Sequence, residues 1–188
     1  LAFVRFADKV VVEHEFSDKR ATTLEAIDRL QAVGGTALWD ALHDSMLALK
    51  QRTGRRAIVL LSDGRDENNP GTAPGSEHTL AEVLALVRDT DTIVYAIGLG
   101  ASVDKPALER IATLSGGAAS FPADVSELEG EYLRVIEALR QRYVVGYTST
   151  NAKRDGAWRS VVIGAKTPGV TIRSTGGYFA PQKALPPQ

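Results

Sequence analysis

"AIVLLSDG", residues 57–64, is a continuous apolar run of strand length that closes with a serine, an aspartate and a glycine. A strand that is apolar on both faces is typical of a parallel sheet, because helices cover both faces of such a sheet. A second run of this kind, "TIVYAIGLG" at residues 92–100, follows later in the chain. The two runs predict strands of one buried parallel sheet.

Helical patterns alternate with these strands. Apolar residues recur at spacings of three and four after Leu38, and Ser/Thr-x-x-Glu capping boxes occur at Thr22, Thr79 and Ser126. Asp104, followed by a proline, opens a further helical pattern. An alternation of strands and helices is typical of a three-layer α/β domain. We therefore predict an α/β fold with a doubly wound, mostly parallel sheet.

Both ends of the chain have the pattern of antiparallel strands. Residues 2–7 and 10–16 flank a two-residue turn and predict a hairpin. Near the other end, "RYVVGYTST", "AWRSVVIGA" and "VTIRSTGGYF" are strand-like segments joined by turn-rich sequence. These patterns divide the chain into an α/β domain (1–141), a C-terminal β-meander (142–180) and a loose proline-rich tail (181–188).

Composition excludes several classes of protein. The 188 residues are 44% hydrophobic and 24% charged, which fits one globular domain with a tail. No apolar run approaches the roughly 20 residues of a membrane helix, and the first residues alternate like a strand rather than forming a signal peptide. The absence of cysteine excludes disulfides, thiolate nucleophiles and zinc–thiolate sites.

Charge is unevenly distributed along the chain. The formal net charge is −1, but the residues from Asn151 onward carry a net +5, which leaves −6 for the residues before them. The basic residues are dispersed rather than clustered, so we interpret them as a solvated surface and not as a contact for nucleic acid.

Two polar side chains lie where a parallel sheet places its ligands. Asp63 follows the run at residues 57–62, and Thr36 stands after two glycines and before a helical pattern. Ligands collect beyond the carboxyl ends of parallel strands, and a hydroxyl with a carboxylate suits a hard cation such as Mg²⁺. The alternatives are an ordinary helix cap for Thr36 and an ordinary turn for Asp63. Asp66 and Glu67 are interpreted as solvated loop acids.

A catalytic constellation is not apparent in the sequence. The three histidines, at positions 14, 43 and 78, are interpreted as isolated surface or boundary residues, and no Gly-x-Ser-x-Gly motif is present. Gly98 and Gly100 resemble the start of a dinucleotide-binding loop, but Val103 occupies the position of its third glycine. Trp39 and Trp158 are interpreted as packing residues rather than as a stacking surface for bases.

The whole series of motifs resembles a known family. "LAFVRFADKV", "GGTALWDAL", "AIVLLSDGRDEN", "IVYAIGLGASVDKPALERIA" and "LSGGAASF" resemble the von Willebrand factor A (VWA) domain in order and spacing. "LRQRYVVGYTSTN" and "STGGYFAP" further resemble a bacterial subfamily in which a C-terminal β-meander follows that domain. The resemblance covers nearly the whole chain.

The resemblance implies a metal-ion-dependent adhesion site built from three loops. The family's first loop carries Asp-x-Ser-x-Ser, the second a threonine and the third an aspartate. Thr36 matches the second loop and Asp63 the third, whereas the first loop has no match. We therefore expect a domain that lacks its first strand and helix. Mg²⁺, Mn²⁺ or Ca²⁺ would be bound by the complete parent domain and weakly or not at all by this chain.

The function that the resemblance implies is noncatalytic protein binding. An acidic residue of a protein partner would complete the shell of the cation. A structural or assembly domain with a vestigial metal site is the alternative, and a metal-dependent enzyme ranks third. We expect an extracytoplasmic protein, periplasmic or secreted, with no nucleic-acid partner and no insertion into a membrane.

Overall fold

The structure is a computed structural model that describes residues 1–31 and 33–182. Its strands are β1 (Phe3–Phe6), β2 (Val10–His14), β3 (Ala57–Ser62), β4 (Ile93–Gly98), β5 (Ala118–Ser120), β6 (Trp158–Ser160) and β7 (Gly177–Phe179). Its helices are α1 (Arg20–Asp28), α2 (Leu38–Lys50), α3 (Leu80–Asp89), α4 (Lys105–Ser115) and α5 (Leu128–Arg140). No helix within the described residues is both long enough and apolar enough to span a membrane.

A parallel sheet in the order β3-β4-β5 forms the centre of the fold. β3 and β4 pair along their whole length, from Ala57 opposite Ile93 to Ser62 opposite Gly98. All six residues of β4 are buried, which is the environment that its continuous apolar sequence predicts. The predicted α/β fold with a parallel sheet is confirmed.

β3 is less completely covered than β4, because only Leu60 and Ser62 of this strand are buried. Val59 and Leu61 are 41% and 40% exposed, so the prediction that this run is buried on both faces is wrong.

Helices cover both faces of β4. On one face, Leu38, Leu42 and Met46 of α2 pack with residues of β3, β4, α3 and α4 in one cluster. On the other face, Ile93, Tyr95 and Ile97 of β4 pack against α5. Removing each large apolar side chain from water contributes about 1.5–3 kcal/mol, so these two clusters hold the three layers together.

The N-terminal hairpin forms a sheet of its own. β1 and β2 pair antiparallel, and β1 packs on α2, where the N–H of Ala37 donates to the carbonyl of Ala7 at 2.6 Å. Within the described residues, β1 is not hydrogen-bonded to β3. The family resemblance implies that the complete domain has a further strand between β1 and β3, which this chain lacks. That expectation stays a prediction.

The C-terminal segment contains an antiparallel hairpin, β6 with β7. Trp158 and Phe179 face each other across it, with ring centroids 5.0 Å apart. The segment "RYVVGYTST" forms no strand, and Tyr143 is 88% exposed. A strand needs a hydrogen-bonded neighbour, and alternation alone does not supply one. The division at residues 141 and 180 stays a prediction, and residues 183–188 of the tail lie outside the described residues.

Two of the predicted helix starts are wrong. α1 begins at Arg20 with Lys19 as its N-cap, so Thr22 lies inside the helix rather than capping it. A 3₁₀ turn capped by Asp124 precedes α5, so Ser126 does not open that helix. The capping box of Thr79 and the Asp104 cap are both present.

Candidate functional site

The two candidate metal ligands lie on adjoining loops at the carboxyl end of β3. Asp63 directly follows the strand and is exposed, and Thr36 lies two residues before α2. The main chain of Thr36 pairs with that of Glu67: the N–H of Thr36 donates at 2.7 Å, and the N–H of Glu67 donates in return at 3.2 Å. This pairing holds the Thr36 loop against the loop that carries Asp63.

Thr36 is not the cap of α2. The N-cap residue is Ala37, and no side chain of the cap residue accepts a hydrogen bond there. The Thr36 hydroxyl oxygen instead lies 3.4 Å from the position that a Cβ atom on Gly64 would occupy. Gly64 is the neighbour of Asp63 in sequence, so the hydroxyl faces the loop of the candidate carboxylate.

Two glycines make this close approach of loops possible. Gly34 has a φ of +76°, and a Cβ atom there would lie 2.1 Å from Oδ2 of Asp8. The N–H of Gly35 donates to Oδ1 of Asp8 at 2.6 Å, and a Cβ on Gly35 would lie 2.5 Å from the carbonyl oxygen of Glu67. At both positions the backbone lies so close to Asp8 or Glu67 that a Cβ atom would overlap them, which explains the pair of glycines.

Asp66 supplies the cap that Thr36 does not. Its Oδ1 accepts hydrogen bonds from the N–H groups of Leu38 at 2.9 Å and Trp39 at 3.2 Å. Its Oδ2 accepts from the N–H groups of Gly75 and Ser76, each at 3.2 Å. The interpretation of Asp66 as a solvated loop acid is therefore wrong. A carboxylate at this position satisfies free N–H groups and balances the positive end of the helix dipole.

Ser76 completes the contact with the start of α2. Its hydroxyl oxygen accepts hydrogen bonds from the N–H groups of Trp39 and Asp40, both at 3.0 Å, and its hydroxyl donates to Asp66. Glu67 has an exposed side chain and contributes to the site through its main chain. The loop from residue 65 to residue 79 is thus fastened across the N-terminus of α2.

A second cluster of polar side chains lies beside this loop. His43 and His78 stack with ring centroids 3.6 Å apart, and Nδ1 of His78 lies 2.7 Å from Oδ1 of Asp40. The interpretation of these two histidines as isolated is wrong. Asp40 and His43 are one helical turn apart, which the sequence shows, but no local pattern predicts that His78 joins them.

The contact between Asp40 and His78 shifts the pKa values of both side chains. Burial acts to raise the pKa of Asp40, but hydrogen bonds from the N–H groups of His78 and Glu77 and from the His78 ring outweigh it and lower that pKa. The hydrogen bond with Asp40 raises the pKa of His78 despite the opposing effect of burial. Both shifts favour the ion pair.

The donor set suits part of a shell for a hard cation. Thr36 supplies a neutral oxygen and Asp63 an anionic one, which are the ligand types that Mg²⁺ and Ca²⁺ take. Within the part of the chain that the structure describes, no group of three or more His, Asp or Glu side chains could hold a metal ion. Thr36 and Asp63 alone supply two oxygen donors, and their role as metal ligands stays a prediction.

Comparison with known proteins shows the family of this chain. The family model for the von Willebrand factor type A domain matches residues 1–134. This range includes strands β1 to β5 and the loops that carry Thr36 and Asp63. The chain belongs to this family. VWA domains often mediate protein interactions and commonly bind divalent metal ions.

Individual relatives share the domain and extend well beyond it. An uncharacterized protein of Synechocystis sp. is 30% identical over 121 residues, which are 63% of this chain and 27% of that protein. A von Willebrand factor type A structure from Catenulispora acidiphila has a TM-score of 0.59 at 22% identity, over 73% of this chain and 33% of that one. The chain thus spans about a third or less of the length of these relatives.

A second solved structure carries a metal. Proximal thread matrix protein 1 from the mussel byssus, with a zinc-occupied metal-ion-dependent adhesion site, has a TM-score of 0.58 at 24% identity. It matches 73% of this chain and 34% of its own. At these identities the two structural likenesses show the VWA fold alone.

Proposed function

We propose that this VWA domain is a noncatalytic protein-binding module in which Thr36 and Asp63 form part of a metal-ion-dependent adhesion site. The observation that carries the proposal is the position of the Thr36 hydroxyl against the loop of Asp63. The Thr36–Glu67 pairing and the Asp66 cap hold both loops in that relation. The rest of the ligand set would come from the Asp-x-Ser-x-Ser motif of the family, which these 188 residues do not contain.

The chain's own groups define what such a site recognises. Asp63 contributes a single negative charge and the Thr36 hydroxyl none, so the pair leaves one of the two positive charges of a divalent cation uncompensated. A cation held there, Mg²⁺ in the first instance, supplies an open position that an acidic side chain of a protein partner can fill. Asp63 is exposed, which leaves that side of the site accessible to a partner.

Manganese broadening in NMR spectra tests the site even where affinity is low. With Mn²⁺ added, we expect amide signals of residues 34–36 and 63–67 to broaden first. The variants Thr36→Val and Asp63→Asn should abolish this selectivity, and Asp155→Asn, at an exposed aspartate of the C-terminal segment, should leave it unchanged. Broadening that is spread over the surface, or that persists at these loops in both site variants, would refute the assignment.

A structural or assembly role with a vestigial metal site is the second candidate. The two functions differ in their response to a chelator. A metal-bridged partner should be released from the gene's full-length product by EDTA and rebound on addition of Mg²⁺. Partner binding that is indifferent to EDTA and to Asp63→Asn would favour the structural role.

We also propose an extracytoplasmic location in a bacterium. The resemblance of the C-terminal motifs to a bacterial VWA subfamily supports this location, and the bacterial relatives support a bacterial source. Fractionation of cells that express the full-length gene product tests it, and recovery of the protein with cytoplasmic markers would contradict it.

A further inference from the structure

The stacked histidines join two elements that are distant in sequence. His43 lies on α2, and His78 directly precedes Thr79, the N-cap of α3. Their ring planes are 18° apart, so the rings lie face to face. Asp40, one turn earlier in α2, has a side chain only 18% exposed, against 33% for His78 and 20% for His43. The contact is therefore partly shielded from water.

Asp40 holds both the ring and the main chain of the loop. Besides the ring of His78, its carboxylate accepts hydrogen bonds from the N–H groups of Glu77 at 2.9 Å and His78 at 2.8 Å. The other end of the same loop carries Asp66 and Glu67, which bond to the N-terminus of α2 and to Thr36. Ser76 also bonds to the start of α2. Among these attachments, the one at Asp40 includes the imidazole of His78, whose charge changes with pH.

We propose that His43, His78 and Asp40 form a proton-operated latch that fastens residues 65–79 to α2. When it carries its proton, His78 is cationic beside Asp40 and stacks on the ring of His43 at 3.6 Å. Loss of that proton removes the ion pair with Asp40. The latch is thus closed when His78 is protonated.

The charged groups around the pair favour the closed state. Asp44, also on α2, lies 3.2 Å from Nδ1 of His43. From the other side, Glu82 of α3 and the Asp40 charge add to the hydrogen bond that raises the pKa of His78, while Glu77 contributes its N–H to Asp40. Because the folded pKa of His78 is raised, the stabilisation is complete below its ordinary value of 6.5 and is lost as pH rises through the folded pKa.

Hydrogen exchange measured by NMR at the Glu77 and His78 amides tests the latch. After correction for the intrinsic pH dependence of exchange, protection should fall as pH rises from 6 to 9, about tenfold for each unit by which the pKa of His78 is raised. The variant His78→Gln keeps a side-chain donor but does not titrate, so its profile should be flat. His43→Phe keeps an aromatic ring against His78 and leaves the Asp40–His78 contact intact, so it should retain the fall in protection with rising pH.

The control is His14→Gln, which changes the third histidine and should leave the profile unchanged. Exchange at Val94 and Ile97 in β4 reports whether each variant is folded. A flat profile in the unmodified chain, or an unaltered one in folded His78→Gln, overturns the proposal. The readout needs neither a metal nor a partner, so its outcome is independent of the proposed binding function.

Discussion

The carboxylate of Asp66, on the loop after β3, accepts a hydrogen bond from the main-chain N–H of Leu38, in the first turn of α2, at 2.9 Å. This bond connects the edge of the parallel sheet to the helix that lies over it. It also fixes the loop whose main chain pairs with Thr36. The candidate site therefore depends on a residue that is itself no part of the proposed ligand set.

Replacing Asp66 by alanine should destabilise the fold. The change leaves the N–H groups of Leu38, Gly75 and Ser76 without this acceptor, while the N–H of Trp39 keeps the Ser76 hydroxyl. Hydrogen bonds to a charged group contribute about 1.5–3 kcal/mol each, and water that reaches the half-buried loop offsets part of the loss. We expect the free energy of unfolding in urea to fall by about 2–4 kcal/mol. The matched control is Glu67→Ala, at the next position with an exposed side chain, which should cost less than about 0.5 kcal/mol. Equal losses in the two variants would contradict the capping role.

Adding a methyl group at Gly35 should separate the two site loops. Its Cβ would lie 2.5 Å from the Glu67 carbonyl oxygen, so the backbone has to shift. We expect a loss of about 1–3 kcal/mol on urea unfolding and faster exchange of the Thr36 amide. Gly130→Ala, in α5 with open space around it, should instead stabilise the fold by about 0.5–1 kcal/mol. A Gly35→Ala variant as stable as the unmodified chain would show that the loops adapt freely.

The Asp40–His78 pair should stabilise the fold most at mildly acidic pH. The lowered pKa of Asp40 gives stabilisation that is lost as pH falls below the ordinary value of 3.8, and the raised pKa of His78 gives stabilisation that is lost as pH rises above 6.5. A double-mutant cycle with Asp40→Asn and His78→Gln, measured by urea unfolding, should give a coupling energy with a maximum between these two values. A coupling energy that is constant from pH 3 to pH 9 would exclude an ion pair.

Ser115 should be more important for stability than its small size suggests. It is fully buried, and its hydroxyl accepts a hydrogen bond from the N–H of Val94 in β4 at 2.9 Å while donating to the carbonyl of Ala112 at 2.8 Å. The variant Ser115→Ala leaves a buried N–H unpaired, so we expect a loss of about 1–3 kcal/mol. Thr113→Ala, on the exposed side of the same helix, serves as the control and should change stability by less than about 0.5 kcal/mol. Similar effects of the two changes would indicate that water replaces the Ser115 hydroxyl.

Features encoded by neighbouring residues could be read from the sequence. The continuous apolar runs at 57–62 and 93–98 predicted two parallel strands, because such a run is typical of a strand covered on both faces. β4 is buried along its whole length, whereas β3 leaves Val59 and Leu61 exposed. Thr79 and Asp104 predicted helix starts, because a cap and the N–H groups that it satisfies lie within three residues. The series of motifs also identified the VWA family, and it placed Thr36 and Asp63 on loops that the structure brings together.

Only the tertiary structure decided what these loops do with their polar groups. The local sequence does not reveal the capping role of Asp66, because its partners at residues 38–39 and 75–76 are distant from it in sequence. His43 and His78 meet across 35 residues for the same reason. Conversely, "RYVVGYTST" has the alternation of a strand but no neighbour to pair with in the described structure. Periodicity and capping are local, whereas the partner of a side chain or of a strand edge depends on the path of the whole chain.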